Sequence, residues 1–427
     1  MTAFRSALLW QAFIASLMFA VTILAWAAVR RRRHGTGPQP AAGAGSREPA
    51  GCTILRLGFG GLWVFGGILQ AQPMMTSLRS RVLTPGAAGS PRWVQDVVSW
   101  GGAAWVNHPV QAAAAAVWIQ AGLGMWLMAA KPGPLSRLAG LASAGWGLTV
   151  WAFGESFGGI FAPGLTWTSG APGAALIYCI AGALVALPER TWHTARLGRV
   201  WLAGTGLFLS GMAVLQAWPG RGFWQGMRDG RPGTLASMVR AMSTAPQPRW
   251  LAAAVADSAA FTTAHGFAVN LFIVVSLALI GAGFLSGRPP VARLALAGFA
   301  VLSLADWVPV QDLGFLGGVG TDPNSMIPGM LLAWAGYLAL IRPLPAVHSG
   351  PHRTAVRGWV AATARAIADG GFRSAIAIAA IGVLALGAGP LAAARATPAV
   401  VARPTVSVSG GGWCNQGRYL LNEGARP

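Results

Sequence analysis

Apolar stretches of membrane-spanning length alternate with polar turns along this 427-residue chain. An α-helix needs roughly 20 apolar residues to cross the hydrocarbon core of a bilayer. The pattern predicts ten spans, near residues 7–29, 56–72, 108–130, 138–153, 172–188, 199–217, 264–286, 292–309, 326–342 and 374–393. The predicted fold class is therefore an all-α polytopic membrane protein.

The predicted spans divide the chain into a repeated middle with one flanking helix at each end. In chain order the predicted segments are an N-terminal transmembrane helix with an Arg cluster (1–33), a Gly/Pro/Ala linker (34–55), a first four-helix repeat (56–188), a second four-helix repeat (189–342), a cytoplasmic amphipathic linker (343–373), a last transmembrane helix (374–393) and an outer tail (394–427).

Charge fixes the expected orientation of these spans. Only 10% of the residues are charged and 54% are hydrophobic, whereas soluble domains carry roughly 25% charged residues. The net charge is +20, and the short turns assigned to the inside carry Lys131, Arg137, Arg190, Arg196, Arg199, Arg288 and Arg293. The outer turns 154–171 and 311–325 contain neither Lys nor Arg. The positive-inside rule accounts for this asymmetry better than a nucleic-acid partner does, and it predicts a multi-pass protein of the cell membrane with both termini outside.

An internal duplication fixes the predicted architecture. The stretch 151–173, WAFGESFGGIFAPGLTWTSGAPG, aligns without a gap on 307–329, WVPVQDLGFLGGVGTDPNSMIPG. Earlier landmarks recur as well: Pro-Arg-Trp at 91–93 and 248–250, and His108 and His265, are each 157 residues apart. Each copy holds four spans, so both copies insert in the same orientation. The sequence therefore predicts two parallel four-helix-bundle repeats.

Matched polar residues of the two copies gather at the predicted outer face. His108 and His265 open the second span of each copy, Glu155 follows the third span of the first copy, and Asp312 follows that of the second. An ionisable group at a span end is a functional candidate, and His beside a carboxylate can relay protons. We assign these four residues a catalytic, proton-handling role. The structural alternatives are that the His residues cap helices and that the backbone N–H groups of Gly-rich loops satisfy the acids.

Further matched pairs supply candidate anchors for a cofactor at the same face. We assign cofactor binding to Gln70, Gln216, Arg92, Arg249, Trp151 and Trp307. Lipid-facing snorkelling is the alternative for the two Arg residues. No metal site is predicted, because the three Cys residues lie far apart and no paired metal motif occurs. Haem or a metal between His108 and His265 stays open. The segment 321–325 reads first as an Asx/Pro turn that caps the next span, with a cation site as the alternative.

Each half resembles a known membrane family in its opening residues and its four-span layout. Residues Arg56 to Trp63, Arg-Leu-Gly-Phe-Gly-Gly-Leu-Trp, begin the first copy. This opening is similar to that of the DoxX/DoxD-like family, which includes the small subunit of thiosulfate:quinone oxidoreductases. The resemblance covers 56–187 and, more weakly, 199–342. It implies a quinone-linked redox role with a partner subunit, and no catalytic residue carries over from it.

The sequence leaves three classes of function open, in a definite order. The first is an integral membrane subunit of a quinone-linked oxidoreductase, with an outer-face polar pocket, quinone as cofactor and electrons supplied by a protein partner. The second is a membrane scaffold or assembly protein whose outer arms, 73–107 and 218–263, dock an extracytoplasmic partner. The third is a small-solute transporter, which parallel repeats permit but the scarcity of charges at the span centres disfavours. All three require contact with membrane lipid.

Overall fold

The computed structural model describes residues 2–33, 48–162, 165–228, 230–244, 247–316, 320–341, 376–377 and 380–381. The predicted cytoplasmic linker, the outer tail and nearly all of the last span lie outside these residues. Ile376, Ala377, Ala380 and Ile381 from that last span pack against the first of the two large core clusters.

Among the described residues, eight helices lie in the first half of the chain. They are α1 Thr2–Arg33, α2 Ala50–Gln70, α3 Thr84–Ala87, α4 Arg92–Gly101, α5 Ala104–Asn107, α6 Pro109–Ala129, α7 Pro134–Thr149 and α8 Ala174–Val185. Short 3₁₀ segments lie between them at Pro73–Ser77, Phe157–Gly159 and Trp167–Ser169. Two π-helical segments, Arg79–Leu83 and Val150–Gly154, complete this half.

The described residues from 189 to 341 contribute seven more helices. They are α9 Glu189–Trp192, α10 Ala195–Ala217, α11 Thr234–Ser243, α12 Arg249–Ala264, α13 Gly266–Leu285, α14 Pro289–Trp307 and α15 Met326–Ile341. A 3₁₀ turn spans Asp312–Gly314. The β structure of the described residues is a ladder of two short antiparallel strands, β1 Met227–Arg228 and β2 Arg231–Pro232. The predicted all-α class is confirmed.

Five of these helices are long and apolar enough to cross a membrane, as judged by length and composition: α2, α6, α10, α13 and α14. Helices α8 and α15 are apolar but shorter, at 12 and 16 residues. Helix α7 has 16 residues and continues directly into the π segment Val150–Gly154. Each predicted span between 56 and 342 thus contains a helix, and the total of ten spans stays a prediction.

The start of the first repeat differs from the prediction. Helix α2 begins at Ala50, six residues before the predicted span, and Arg56 is buried in its second turn. The Arg56 guanidinium forms an ion pair with Glu48 at 2.8 Å and donates to the backbone oxygens of Leu127 and Met128 at 2.8 and 3.0 Å. The Glu48 carboxylate balances the charge of Arg56, and the two backbone oxygens accept its hydrogen bonds. Arg56 can therefore lie inside the helix rather than at the edge of the membrane.

Glycines set the closest helix crossings in both halves. A Cβ on Gly60 of α2 would lie 3.0 Å from the backbone oxygen of Gly124 on α6. In the second half, a Cβ on Gly206 of α10 would lie 2.6 Å from the backbone oxygen of Gly281 on α13. Small residues let membrane helices approach until their backbones touch. The pairs α2–α6 and α10–α13 therefore pack in the same way.

Substituting Leu for Gly60 is expected to lower the free energy of unfolding by about 1–3 kcal/mol, because the new side chain has to displace α6. Gly61 is the matched control, since it is exposed on the same helix and a Cβ there meets no atom within 4 Å. Denaturant unfolding of the purified protein in detergent measures both variants. Equal stability of Gly60→Leu and Gly61→Leu would contradict the close crossing.

The described helices form a first bundle of α2, α6, α7 and α8 and a second bundle of α10, α13, α14 and α15. Two Gly-rich loops, loop A (155–173) and loop B (308–325), reach from one bundle into the other. Trp167 of loop A packs against Phe208 of α10 and Phe299 of α14, with ring centroids 5.9 and 5.5 Å away. In the opposite direction, Phe315 of loop B packs edge-on against Phe65 of α2 at 5.2 Å. Loop A therefore contributes to the core of the second bundle, and loop B contacts α2 of the first bundle.

Candidate functional site

A cavity lies in the first bundle, at the ends of the helices where the chain enters the arm 73–107 and loops A and B. Residues of α2, α6, α7 and α8 form its walls, and the arm, the π segment Val150–Gly154 and both loops contribute the remainder. Its apolar lining includes Leu62, Trp63, Val82, Leu83, Trp105 and Phe153. A space walled by aromatic and aliphatic side chains with a few polar groups is the usual form of a small-molecule site.

Both π-helical segments border this cavity. Val82 and Leu83 come from the first segment, and Val150, Phe153 and Gly154 come from the second. Single turns of π-helix are rare and occur frequently at functional sites, because the extra residue widens the turn. The local backbone at two separate places in the chain is therefore shaped around the same space.

Two buried hydrogen-bond donors at the cavity have no partner. The Tyr178 hydroxyl and the indole N–H of Trp146 are buried, make no hydrogen bond and belong to residues that line the cavity. The Tyr178 ring is fixed edge-on against Phe59 and Trp63, at 5.1 and 4.6 Å. A buried polar group that lacks a partner costs about 1–3 kcal/mol. A ligand with hydrogen-bond acceptors would satisfy both groups.

Two carboxyl groups line the same cavity. Glu155 accepts hydrogen bonds from the backbone N–H of Ala175, at 3.0 and 3.1 Å, and so caps the N-terminus of α8. Asp322 of loop B accepts the Asn324 backbone N–H at 2.7 Å and the Thr321 hydroxyl at 3.1 Å. Burial raises the pKa of the Asp322 carboxyl, and these two hydrogen bonds partly oppose the shift. Asp322 therefore retains a proton to a higher pH than an exposed Asp.

The charge of the lining selects among ligand classes. The described lining residues include Gln70 and Gln120 as further polar groups, and no Lys, Arg or His. Two acids in an apolar space disfavour an anion, because a carboxylate repels a second negative charge. The cavity therefore fits a neutral or cationic ligand.

Two of the predicted site residues, Glu155 and Gln70, meet at this cavity. The predicted His pair is not among the described lining residues. His108 is half-buried at the junction of α5 and α6. His265 is exposed at the junction of α12 and α13 and contacts the Phe261 ring at 4.7 Å. Both His residues occupy the N-cap position of the helix that follows, and neither side chain makes a capping hydrogen bond.

The remaining predicted anchors are placed elsewhere in the described structure. Gln216 is buried in the second bundle, where it accepts the Thr166 hydroxyl and donates to Asn270 at 2.8 Å. Arg92 and Arg249 are exposed at the first residues of α4 and α12. The backbone of Asp312 lies in a 3₁₀ turn, and its side chain is outside the described part of the chain.

Trp151 and Trp307 tether the loops rather than line the cavity. The Trp151 indole donates to the Pro172 oxygen at 2.8 Å, and the Trp307 indole donates to the Pro323 oxygen at 2.9 Å. Each bond joins the end of one helix to the far end of the Gly-rich loop that follows it. The two aligned Trp residues thus hold loops A and B in equivalent ways.

Sequence reasoning missed Tyr178, Trp146 and Gln120, and it assigned Asp322 to a turn. The Asx turn is confirmed, because the Asp322 carboxylate accepts the Asn324 backbone N–H. The Ser325 hydroxyl, in the segment predicted to cap α15, donates to the Gly170 oxygen at 2.8 Å. The rarity of tyrosine, with three in the whole chain, was the available signal for Tyr178 inside an apolar span.

Comparison with known proteins adds no homologue to this description. No protein-family model, curated protein sequence or solved structure matches the chain. Within the described residues, no group of three or more His, Cys, Asp or Glu side chains is arranged to hold a metal ion. The cavity is therefore the feature from which a function is inferred.

Proposed function

We propose that this chain is an integral membrane subunit of a quinone-linked oxidoreductase and that the cavity binds the quinone head group. The observation that carries the proposal is the pair of buried, unpartnered donors on Tyr178 and Trp146 inside an apolar, aromatic space. A quinone ring is flat and apolar and carries two carbonyl acceptors. Its shape and hydrogen-bonding capacity complement this lining.

Proton handling at the site is assigned to Glu155 and Asp322. Reduction of a quinone to a quinol takes up two electrons and two protons. Burial raises the pKa of Asp322, which favours its protonated form as a proton donor toward a bound carbonyl. We propose that the electrons come from a redox protein docked on the outer face. This assignment replaces the His pair of the sequence prediction with two carboxyl groups that line the cavity.

We also propose that the chain has ten spans in two parallel repeats. Its location is the cell membrane, and both termini lie outside. The glycine crossings support the duplication, because Gly60 and Gly206 are 146 residues apart, the offset of the earlier landmark Leu-Gln-Ala at 69–71 and 215–217. Their partners Gly124 and Gly281 are 157 residues apart, the offset of the two His residues. The DoxX/DoxD-like resemblance is part of the same proposal.

Replacing Tyr178 with Phe is expected to weaken quinone binding about 3- to 10-fold, the loss of one neutral hydrogen bond. The substitution removes a single oxygen atom and preserves the ring contacts with Phe59 and Trp63. The measurement is equilibrium binding of radiolabelled short-chain ubiquinone and menaquinone analogues to the purified protein in detergent.

Tyr337→Phe serves as the matched control, because Tyr337 is a half-buried residue packed against the core of the second bundle. Its quinone affinity should equal that of the unmodified protein. If neither analogue binds, or if Tyr178→Phe binds as tightly as Tyr337→Phe, the proposed site is wrong.

A further inference from the structure

A second buried acid lies in the other bundle, separate from the quinone cavity. Asp306 is in the last turn of α14 and is only 7% exposed. The side-chain amide of Gln311 donates to its Oδ2 atom at 3.1 Å. This neutral amide is the hydrogen-bond partner found for the carboxylate among the described residues, so the charge needs a further source of compensation.

Neither of the described helices that pack most closely on α14 carries a basic side chain. Helices α13 and α15, which pack on α14, contain no Lys, Arg, His, Asp or Glu. Arg293 is the other charged residue of α14, and it lies 13 residues away, about 20 Å along the helix axis. Loop B contains no basic residue, and its acids are Asp312 and Asp322.

The two helices behind loop B do not supply a counter-ion either. Helices α11 and α12 pack against loop residues Val308, Val310 and Leu316. Their basic side chains, Arg240 and Arg249, are both exposed. An ionised Asp306 in this apolar bundle therefore requires a cation that is not part of the described chain, or else the carboxyl carries a proton.

Two unpartnered oxygen atoms accompany the carboxylate. The Oε1 atom of Gln311 has no hydrogen-bond partner, and it belongs to the same amide that donates to Asp306, with the residue 5% exposed. The Ser303 hydroxyl is fully buried and also has no partner. Ser303 lies one turn before Asp306, on the same face of α14. Three oxygen-bearing side chains thus lie at the C-terminal end of α14, and two of their oxygen atoms have no hydrogen-bond partner among the described residues.

We propose that Asp306, Gln311 and Ser303 form a binding site for a monovalent alkali cation of the sodium class. The ligand oxygens would be one carboxylate, one amide oxygen and one hydroxyl, a set of hard donors. One negative charge among neutral oxygens balances a single positive charge, whereas a divalent ion would remain uncompensated. A proton and the cation compete for the same carboxylate, so binding of the cation releases a proton from Asp306 when the carboxyl starts out protonated.

The test is thermal unfolding of the full chain in detergent at pH 8, in NaCl or in N-methyl-D-glucamine chloride at equal ionic strength. We expect the melting temperature to rise with sodium and to saturate, and the rise to shrink at pH 5. Asp306→Asn should abolish the sodium response. The control Asp257→Asn, at an exposed acid on α12, should retain it.

A second variant keeps the test decisive if Asp306→Asn does not fold. Ser303→Ala removes one neutral ligand and is expected to weaken sodium affinity about 10-fold. Radioactive sodium binding to the purified protein measures this directly. The inference is overturned if sodium and N-methyl-D-glucamine give the same melting temperature at pH 8, or if Ser303→Ala binds sodium as the unmodified protein does. Tyr178→Phe should leave the sodium response unchanged, which separates this site from the quinone cavity.

Discussion

Replacing Trp167 with Ala is expected to lower the free energy of unfolding by about 3–5 kcal/mol, the usual cost of deleting a buried Trp side chain. Trp167 is 3% exposed, although it belongs to loop A and not to a helix core. Its ring fills the second bundle between Phe208 and Phe299 and lies against Gly329 of α15. Its indole N–H makes no hydrogen bond, so the loss is one of packing alone.

The matched control for this prediction is Trp250→Ala, because Trp250 is 62% exposed on α12. Denaturant titration in detergent, followed by far-ultraviolet circular dichroism, compares the two variants. A loss of less than about 1 kcal/mol for Trp167→Ala, within the range of ordinary surface substitutions, would contradict the insertion of loop A into the second bundle.

Replacing Ala116 with Phe is expected to reduce quinone binding by at least about 100-fold, because a site of this kind buries most of its ligand and cannot also hold a new ring. Ala116 lines the cavity from α6 and is 5% exposed. The measurement is the same equilibrium binding of short-chain quinones. Unlike Tyr178→Phe, this substitution tests the space itself rather than one hydrogen bond.

Ala260→Phe is the control for the added ring, because Ala260 is exposed on α12 in the other half of the chain. It should bind quinone normally. The melting temperature of Ala116→Phe has to be recorded alongside, since overpacking costs about 1–3 kcal/mol where the space does not admit the ring. Undiminished quinone binding by a folded Ala116→Phe protein would contradict the assignment of the cavity.

Hydropathy alone predicted most helices well, because a long apolar run in a membrane has few alternatives to a helix. Helix α13, Gly266–Leu285, lies within the predicted span 264–286. Helix α2 was placed six residues too late, at Arg56 rather than at Ala50. The counter-ion of Arg56, Glu48, precedes the helix in the chain, and only the folded structure shows that the two side chains pair.

The site was predicted only in part, for a different physical reason. Gln70 and Glu155 were identified because they are polar residues at the ends of apolar spans. In the sequence, Tyr178 and Trp146 look like ordinary aromatic residues within spans. Only the packing of four helices shows that their hydrogen-bond donors are buried without a partner among the described residues. Asp322 reaches the first bundle through loop B, and an alignment of the two copies contains no signal that each loop crosses into the other bundle.

The most direct test of the quinone assignment is to purify the protein gently from its native membrane, extract the lipids and quantify the quinone, with Ala116→Phe protein processed in parallel. We predict quinone in stoichiometric amount with the unmodified protein, depletion of quinone from Ala116→Phe, and an optical spectrum without a Soret band. Equal quinone in both preparations, or a Soret band lost in a His108→Ala/His265→Ala double variant, would contradict the account.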